Sequence, residues 1–450
     1  MKNSSFSLHP SSFDKMPTTK TKRPSKLNLD LHSLPGPETI VRRVLSNGLT
    51  VLVRENHTSP AVVMDGDLRV GALWETREKA GLANFAASAL MRGTERRSFA
   101  EIYEQIESVG ARLGISGGTH LSGFSGKSLA EDLPLLLEVA SDALRRPTFP
   151  EEPAERLRSE ILTRLAIRAN DTASRAADAF HELAYPNHPY SIDEDGYPET
   201  IQAITRDELV TFHSKHFGPR GMIVTIVGAV RAEEAIALVE KYFGDWVNPD
   251  QLPEPPLPPL APPQGAVTRR VSLPGKSQSD IVLGVPGPAR KHPQFIAARV
   301  ANNILGAFGL GGRIGHYVRE KGGMAYYAAA ALDGGLGPGP WRAYAGVNPK
   351  NVDRAVELML REIRKFTTRK VTVEELDDNK AQFIGRLPLS LETNEGVAGL
   401  ISSLEIYDLG LDYLQRYPGL VQALTRDDIL EVARMFLSAE NYALAVAGPE

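Results

Sequence analysis

The sequence contains no cysteine. That excludes disulfides, thiolate nucleophiles and any zinc or iron–sulfur site that needs sulfur ligands. It leaves the compartment open, because a large core needs no covalent staples. No uninterrupted apolar run reaches about 18 residues, so no membrane span is expected. Charge of one sign is also scarce. The formal net charge of −4 gives no basic footprint for nucleic acid. The N-terminus lacks the apolar stretch of a secretory signal and is rich in Ser, Lys, Pro and Thr. Residues 1–35 therefore read as a disordered extension, with Met16 as an alternative start, and the expected location is cytoplasmic.

What is present is length and pattern. With 450 residues, 42% apolar and 24% charged, the chain has the balance of a globular protein and exceeds one ordinary core. It also repeats. Residues 197–228 align without a gap to 417–448, sharing Tyr197/Tyr417, Pro198/Pro418, Gln202/Gln422, Ala203/Ala423, Thr205/Thr425, Arg206/Arg426, Asp207/Asp427 and Gly228/Gly448. Each Thr-Arg-Asp predicts a helix start with a capping Thr and acid in the first turn. An amphipathic helix and a short β-rich run follow in both copies.

Between the copies, residues 248–264 carry prolines at 249, 253, 255, 256, 258, 259, 262 and 263. Such a stretch predicts an extended, semi-rigid connector. The expected lobes are then 36–247 and 265–450, an internal duplication able to close as a pseudo-twofold clam. In the first lobe, residues 40–45 and 49–54 flank Ser46-Asn47-Gly48, a hairpin signal, and 62–70 read as another strand. Helices are expected at 81–91, 99–109, 129–144 and 151–169, with a Gly/Ser-rich strand pair in 111–128. Hairpins mixed with long helices predict an α+β fold, each lobe a mixed or antiparallel sheet packed with helices.

One segment carries a resemblance. Gly81-Leu82-Ala83-Asn84-Phe85-Ala86-Ala87-Ser88-Ala89-Leu90-Met91-Arg92-Gly93-Thr94, with Gly71 and Glu75 ahead of it, resembles the metal-binding helix of the inverzincin peptidases. That is the family of insulinase, pitrilysin and the mitochondrial processing peptidase. There the helix carries His-x-x-Glu-His, whose spacing sets two imidazoles and a general-base carboxylate on one helical face. A later helix adds a Glu ligand. Here the two His positions are Asn84 and Ser88, the Glu position is Ala87, and the later Glu falls near Arg164. Amide and hydroxyl are poor zinc ligands, Ala87 offers no base, and a guanidinium repels a cation. The resemblance therefore implies a degenerate site and no zinc in this chain; Glu160, one turn from the expected Glu, is not taken as a rescue. Elsewhere, His213-x-x-His216 reads as two partly exposed His on the repeated helix, and His181-Glu182 lacks the distal His of a metalloprotease helix.

The second lobe keeps its motif. The run from Gly309-Leu310-Gly311-Gly312 through Arg319-Glu320-Lys321-Gly322-Gly323-Met324-Ala325-Tyr326 resembles the family's C-terminal signature. The resemblance implies that Arg319 and Tyr326 bind a substrate carbonyl as it becomes an oxyanion, a role that suits a fixed guanidinium and a phenol. The three glycines have no Gly-Lys-Ser/Thr after them, so they predict a mobile loop and not a phosphate cradle. Gly334-Gly335-Leu336-Gly337-Pro338-Gly339-Pro340 reads as a plain β-turn. The expectation is a non-catalytic subunit that pairs with a homologous zinc-bearing subunit and takes peptides as added strands. The alternative is an inert scaffold or peptide-binding protein of the same fold.

Overall fold

The Asn-Gly signal folds as a hairpin. In the computed structural model, which describes residues 30–449, β1 (Val41–Val44) runs antiparallel to β2 (Thr50–Glu55). Gly48 supplies the turn's left-handed residue at φ 88°. The first lobe adds β3 (Ala61–Leu68), β4 (Arg112–Ser116), β5 (Ser122–Leu129) and β6 (Ile223–Gly228). The second has β7 (Ala266–Ser272), β8 (Ser279–Pro286), β9 (Ala325–Leu332), β10 (Pro340–Val347) and β11 (Tyr442–Gly448).

These strands make two sheets of one design. The first is ordered β1-β2-β6-β3-β5-β4 and the second β7-β11-β8-β10-β9. With β1 set aside the orders coincide, including the single parallel pair, β2 with β6 and β7 with β11. The repeated helices, Arg206–His216 and Arg426–Phe436, start as the sequence predicts. Thr205 Oγ1 accepts from Glu208 N while Glu208 accepts from Thr205 N, and Thr425 and Asp428 repeat the exchange. The architecture is α+β with two lobes.

The lobes interlock by trading a helix. Thr172–Ala184, from the first lobe, packs on β7, β8 and β11, burying Ala176, Ala179 and Phe180 with Val282, Ala443 and Ala445. Asn394–Ile406, from the second, packs on β3 and β6, burying Val397, Ala398 and Ile401 with Val63, Ile223 and Val227. Alanines on both sides let helix and sheet approach closely. Inside the second seam, Ser402 Oγ donates to Thr225 Oγ1 at 2.8 Å, which satisfies two buried hydroxyls.

Two boundaries need comment. The disordered extension and the alternative start at Met16 fall largely on residues 1–29, outside the described residues. Leu34, however, is buried in the cluster that holds Tyr413 and Leu414, so packed chain begins before residue 36. Residues 248–264 form neither helix nor strand. Pro253, Pro256, Pro259 and Pro262 are exposed while Leu257, Leu260 and Pro263 turn inward, the three-residue period of a polyproline II segment. Among the described residues, no helix is long and apolar enough to cross a membrane.

Candidate functional site

The helix that carries Asn84, Ala87 and Ser88 is Leu82–Ala89. Gly81 precedes it at φ 89° and gives no side-chain cap. Glu75 supplies one from outside, accepting from Gly81 N at 2.9 Å and from Ala83 N. Burial pushes the Glu75 carboxyl up to about 8 against those two hydrogen bonds. Ala83, Phe85, Ala86, Ala87 and Ala89 are fully buried, so the partly exposed positions of the helix are Leu82, Asn84 and Ser88.

Asn84 is already engaged. Its Nδ2 donates to Asp195 Oδ1 at 2.6 Å, and Arg164 Nη2 lies 4.0 Å from the same oxygen. Arg168, one turn beyond Arg164 on the Glu151–Ala169 helix, contacts Asp178 at 2.5 Å, Asp193 at 2.8 Å and Asp195 at 3.3 Å. Burial raises Asp193, with Arg168 opposing. Asn84 and Arg164 are thus brought together through Asp195. Glu160 is held by Arg92 at 2.7 Å, and Ser88 has no hydrogen-bond partner among the described residues. Among the described residues, no group of three or more His, Asp or Glu is placed to hold a metal ion.

A cavity of about 800 Å³ lies between the lobes beside this network. Leu165, Arg168 and Asp195 line one wall; Gly334, Gly335 and Gly337 line the other. The 334–340 segment is therefore more than the plain turn its glycines predict. A Cβ at Gly337 would overlap the Tyr190 hydroxyl, and Tyr185 Oη donates to Pro338 O at 2.9 Å. Both contacts cross the lobe interface, which turn chemistry alone does not reveal. His181 is largely buried, which lowers its pKa, and Glu182 pairs with Arg269 of the second lobe. His213 and His216 do not converge. His213 Nε2 meets Leu144 O at 2.8 Å, whereas His216 sits between Trp74 and Phe212, where burial drives it down to about 4.

In the second lobe, Arg319 and Glu320 of the motif close a π-helical segment, Gly315–Glu320, a widened geometry frequent at functional positions. Arg319 is exposed and its guanidinium makes no hydrogen bond or ion pair among the described residues. Arg313, in the preceding turn, is instead held by two 2.7 Å bonds to Glu375. Tyr326 is 83% exposed on β9, an edge strand. Neither Arg319 nor Tyr326 contacts Asn84, Ala87, Ser88 or Arg164 through a hydrogen bond or ion pair.

Residues 50–193 match the family model "Insulinase (Peptidase family M16)", and residues 203–383 match "Peptidase M16 inactive domain". The chain is 27% identical over 423 residues to an uncharacterized zinc protease of Streptomyces coelicolor, covering 92% of this chain and 90% of that protein. It is 26% identical over 442 residues to a probable mitochondrial-processing peptidase subunit beta of Schizosaccharomyces pombe, covering 92% of each. Its fold matches the crystal structure of a peptidase M16 inactive domain from Pseudomonas fluorescens at TM-score 0.83 and 22% identity. That match covers 91% of this chain and 98% of the other. The chain belongs to the insulinase (M16) peptidase family.

In this M16 chain the sequence pattern missed Asp195 and Arg168, which link Asn84 to the Glu151–Ala169 helix. A signal exists for each. Arg168 follows Arg164 by four residues on one helix, and Asp193-Glu194-Asp195-Gly196 is an acidic run closed by glycine. Pairing the two required the fold.

Proposed function

We propose that this M16 chain is the zinc-free, substrate-holding subunit of a two-chain peptidase. It would lend Arg319 and Tyr326 to the zinc site of a homologous partner. The donor set in its own first lobe does not suit zinc: Asn84 is committed to Asp195, Ala87 is a buried methyl, and Arg164 brings a positive charge. The observation that carries the reading is a contrast. Asn84 and Arg164 both face the Asp195 carboxylate, while among the described residues Arg319 stands unpaired and Tyr326 is exposed.

The chemistry follows from those two groups. A guanidinium and a phenol, both donors, lower the energy of a developing oxyanion most when a closing partner removes water around them. The free edge of β9 supports peptide binding by strand addition. The partner supplies zinc and the base; this chain grips and polarises.

The test is co-expression with an M16 subunit bearing an intact His-x-x-Glu-His, followed by cleavage of a quenched fluorogenic peptide. Arg319→Ala or Tyr326→Phe is expected to cut turnover ~10²-fold, the scale of losing an oxyanion donor. Metal analysis of this chain alone should find no stoichiometric zinc. Full turnover in both variants would overturn the cross-interface role and leave the scaffold reading.

A further inference from the structure

We propose that Asp280 and Tyr327 are positioning residues that hold Tyr326 out of strand register and tie it to the first lobe through Thr172. This rests on the reading of Tyr326 as a substrate-binding group. The first observation is the pairing of β9 with β10. It runs without interruption from Trp341↔Leu332 to Gly346↔Tyr327, and the next partner of Val347 is Ala325. Tyr326 is passed over. It is the extra residue of a β-bulge, a device that bends a strand and re-aims a side chain.

The second observation is what fixes the bulge. Tyr327 Oη donates to Asp280 Oδ1 on β8, and Thr172 Oγ1 donates to Asp280 Oδ2 at 2.5 Å. Gln278 Nε2 adds contacts of 3.2 Å and 3.1 Å to the two oxygens. Asp280 is only 2% exposed and forms no ion pair among the described residues, so these neutral donors alone satisfy it. Losing one leaves a buried acceptor short on the central strand of the sheet, at a cost in free energy. Gly346, opposite the bulge, makes room. A Cβ there would lie 2.7 Å from a Tyr327 ring carbon and 2.6 Å from Gln278 Nε2.

The third observation is where the clamp leads. Thr172 opens the exchanged helix Thr172–Ala184, and the Glu151–Ala169 helix that carries Arg164 and Arg168 ends just before it. Neighbouring tyrosines on β9 thus divide the work. Tyr327 is tied to Asp280, which Thr172 of the first lobe also holds, and Tyr326 is left facing solvent. A purely packing role for Tyr327, whose ring lies 6.1 Å from that of Tyr344, would need no hydroxyl.

Tyr327→Phe keeps the ring and removes the hydroxyl. In the co-expressed complex it is expected to lower kcat ~10-fold with KM unchanged, a part of the loss of an oxyanion donor. The double variant Tyr326→Phe/Tyr327→Phe should be no slower than Tyr326→Phe alone, the non-additivity expected of coupled residues. Full kcat in Tyr327→Phe beside an impaired Tyr326→Phe overturns the clamp. Full kcat in Tyr326→Phe overturns the underlying reading instead. Amide exchange in the isolated chain then decides the clamp by itself. Tyr327→Phe should speed exchange at 325–328 at least ~10-fold while β8 and β11 stay protected, as for local opening. Unchanged exchange there overturns it.

Discussion

Asn84 and Asp195 share a 2.6 Å hydrogen bond across 111 positions of sequence. The bond joins the Leu82–Ala89 helix to the loop that also receives Arg164 and Arg168. An amide and a set of ions cross-link the helix and the loop.

Removing the shared carboxylate tests that view. Asp195→Ala strips Asn84 of its acceptor and Arg168 of one of three acids. Because the site is partly solvated, the expected loss is about 1–2 kcal/mol of unfolding free energy. Urea denaturation with Asp195→Asn as the control measures it. An unchanged midpoint would mean that the network contributes nothing to stability.

A pH dependence follows from the seam beneath the Asn394–Ile406 helix. Asp65 and Asp67, two residues apart on β3, are both pushed up to about 6 by burial, with Asp67 and Glu395 adding to the shift at Asp65. Both bind protons more tightly folded than unfolded. Stability from these groups is therefore present at acid pH and declines as pH rises from about 4 through about 6. Asp65→Asn should raise the melting temperature at pH 7.5 and leave it nearly unchanged at pH 4. The opposite order would refute the burial argument.

The exchanged helices predict a large effect from a single truncation. Phe180 is fully buried against the second sheet. Phe180→Ala is expected to cost about 3–5 kcal/mol. Because the seam joins both lobes, the loss should appear as one earlier transition in calorimetry, not as the melting of one lobe.

Gly337→Ala addresses the inter-lobe wall. The added methyl collides with the Tyr190 hydroxyl. Overpacking of this kind costs about 1–3 kcal/mol, and Tyr190→Phe should restore part of it. A melting temperature equal to that of the parent would show that the wall yields freely.

Much of the fold was legible because it is local. The Asn47-Gly48 hairpin, the Glu151–Ala169 helix and the two Thr-capped helices all appear where spacing and turn chemistry put them. Thr172–Ala184 escaped notice, although Asp171 caps it by accepting from Ser174 N at 2.7 Å. Its apolar face is mostly alanine, which reads weakly until the opposing sheet is known. The site shows the same division. Asn84, Ala87, Ser88, Arg164, Arg319 and Tyr326 stand out by motif, whereas Asp195, Asp280 and Tyr327 act through partners far away in the chain. The bulge at Tyr326 depends on Gly346 and could not be read from β9 alone.

The trade of helices also bears on how such a chain arises. A half-length chain made alone would expose a bare apolar sheet and a helix without a seat. Two identical half-length chains would cure both defects by lending helices to each other, which is the geometry of a domain-swapped pair. Fusing them asks only for a tether, and the proline stretch between the lobes sits where that tether belongs.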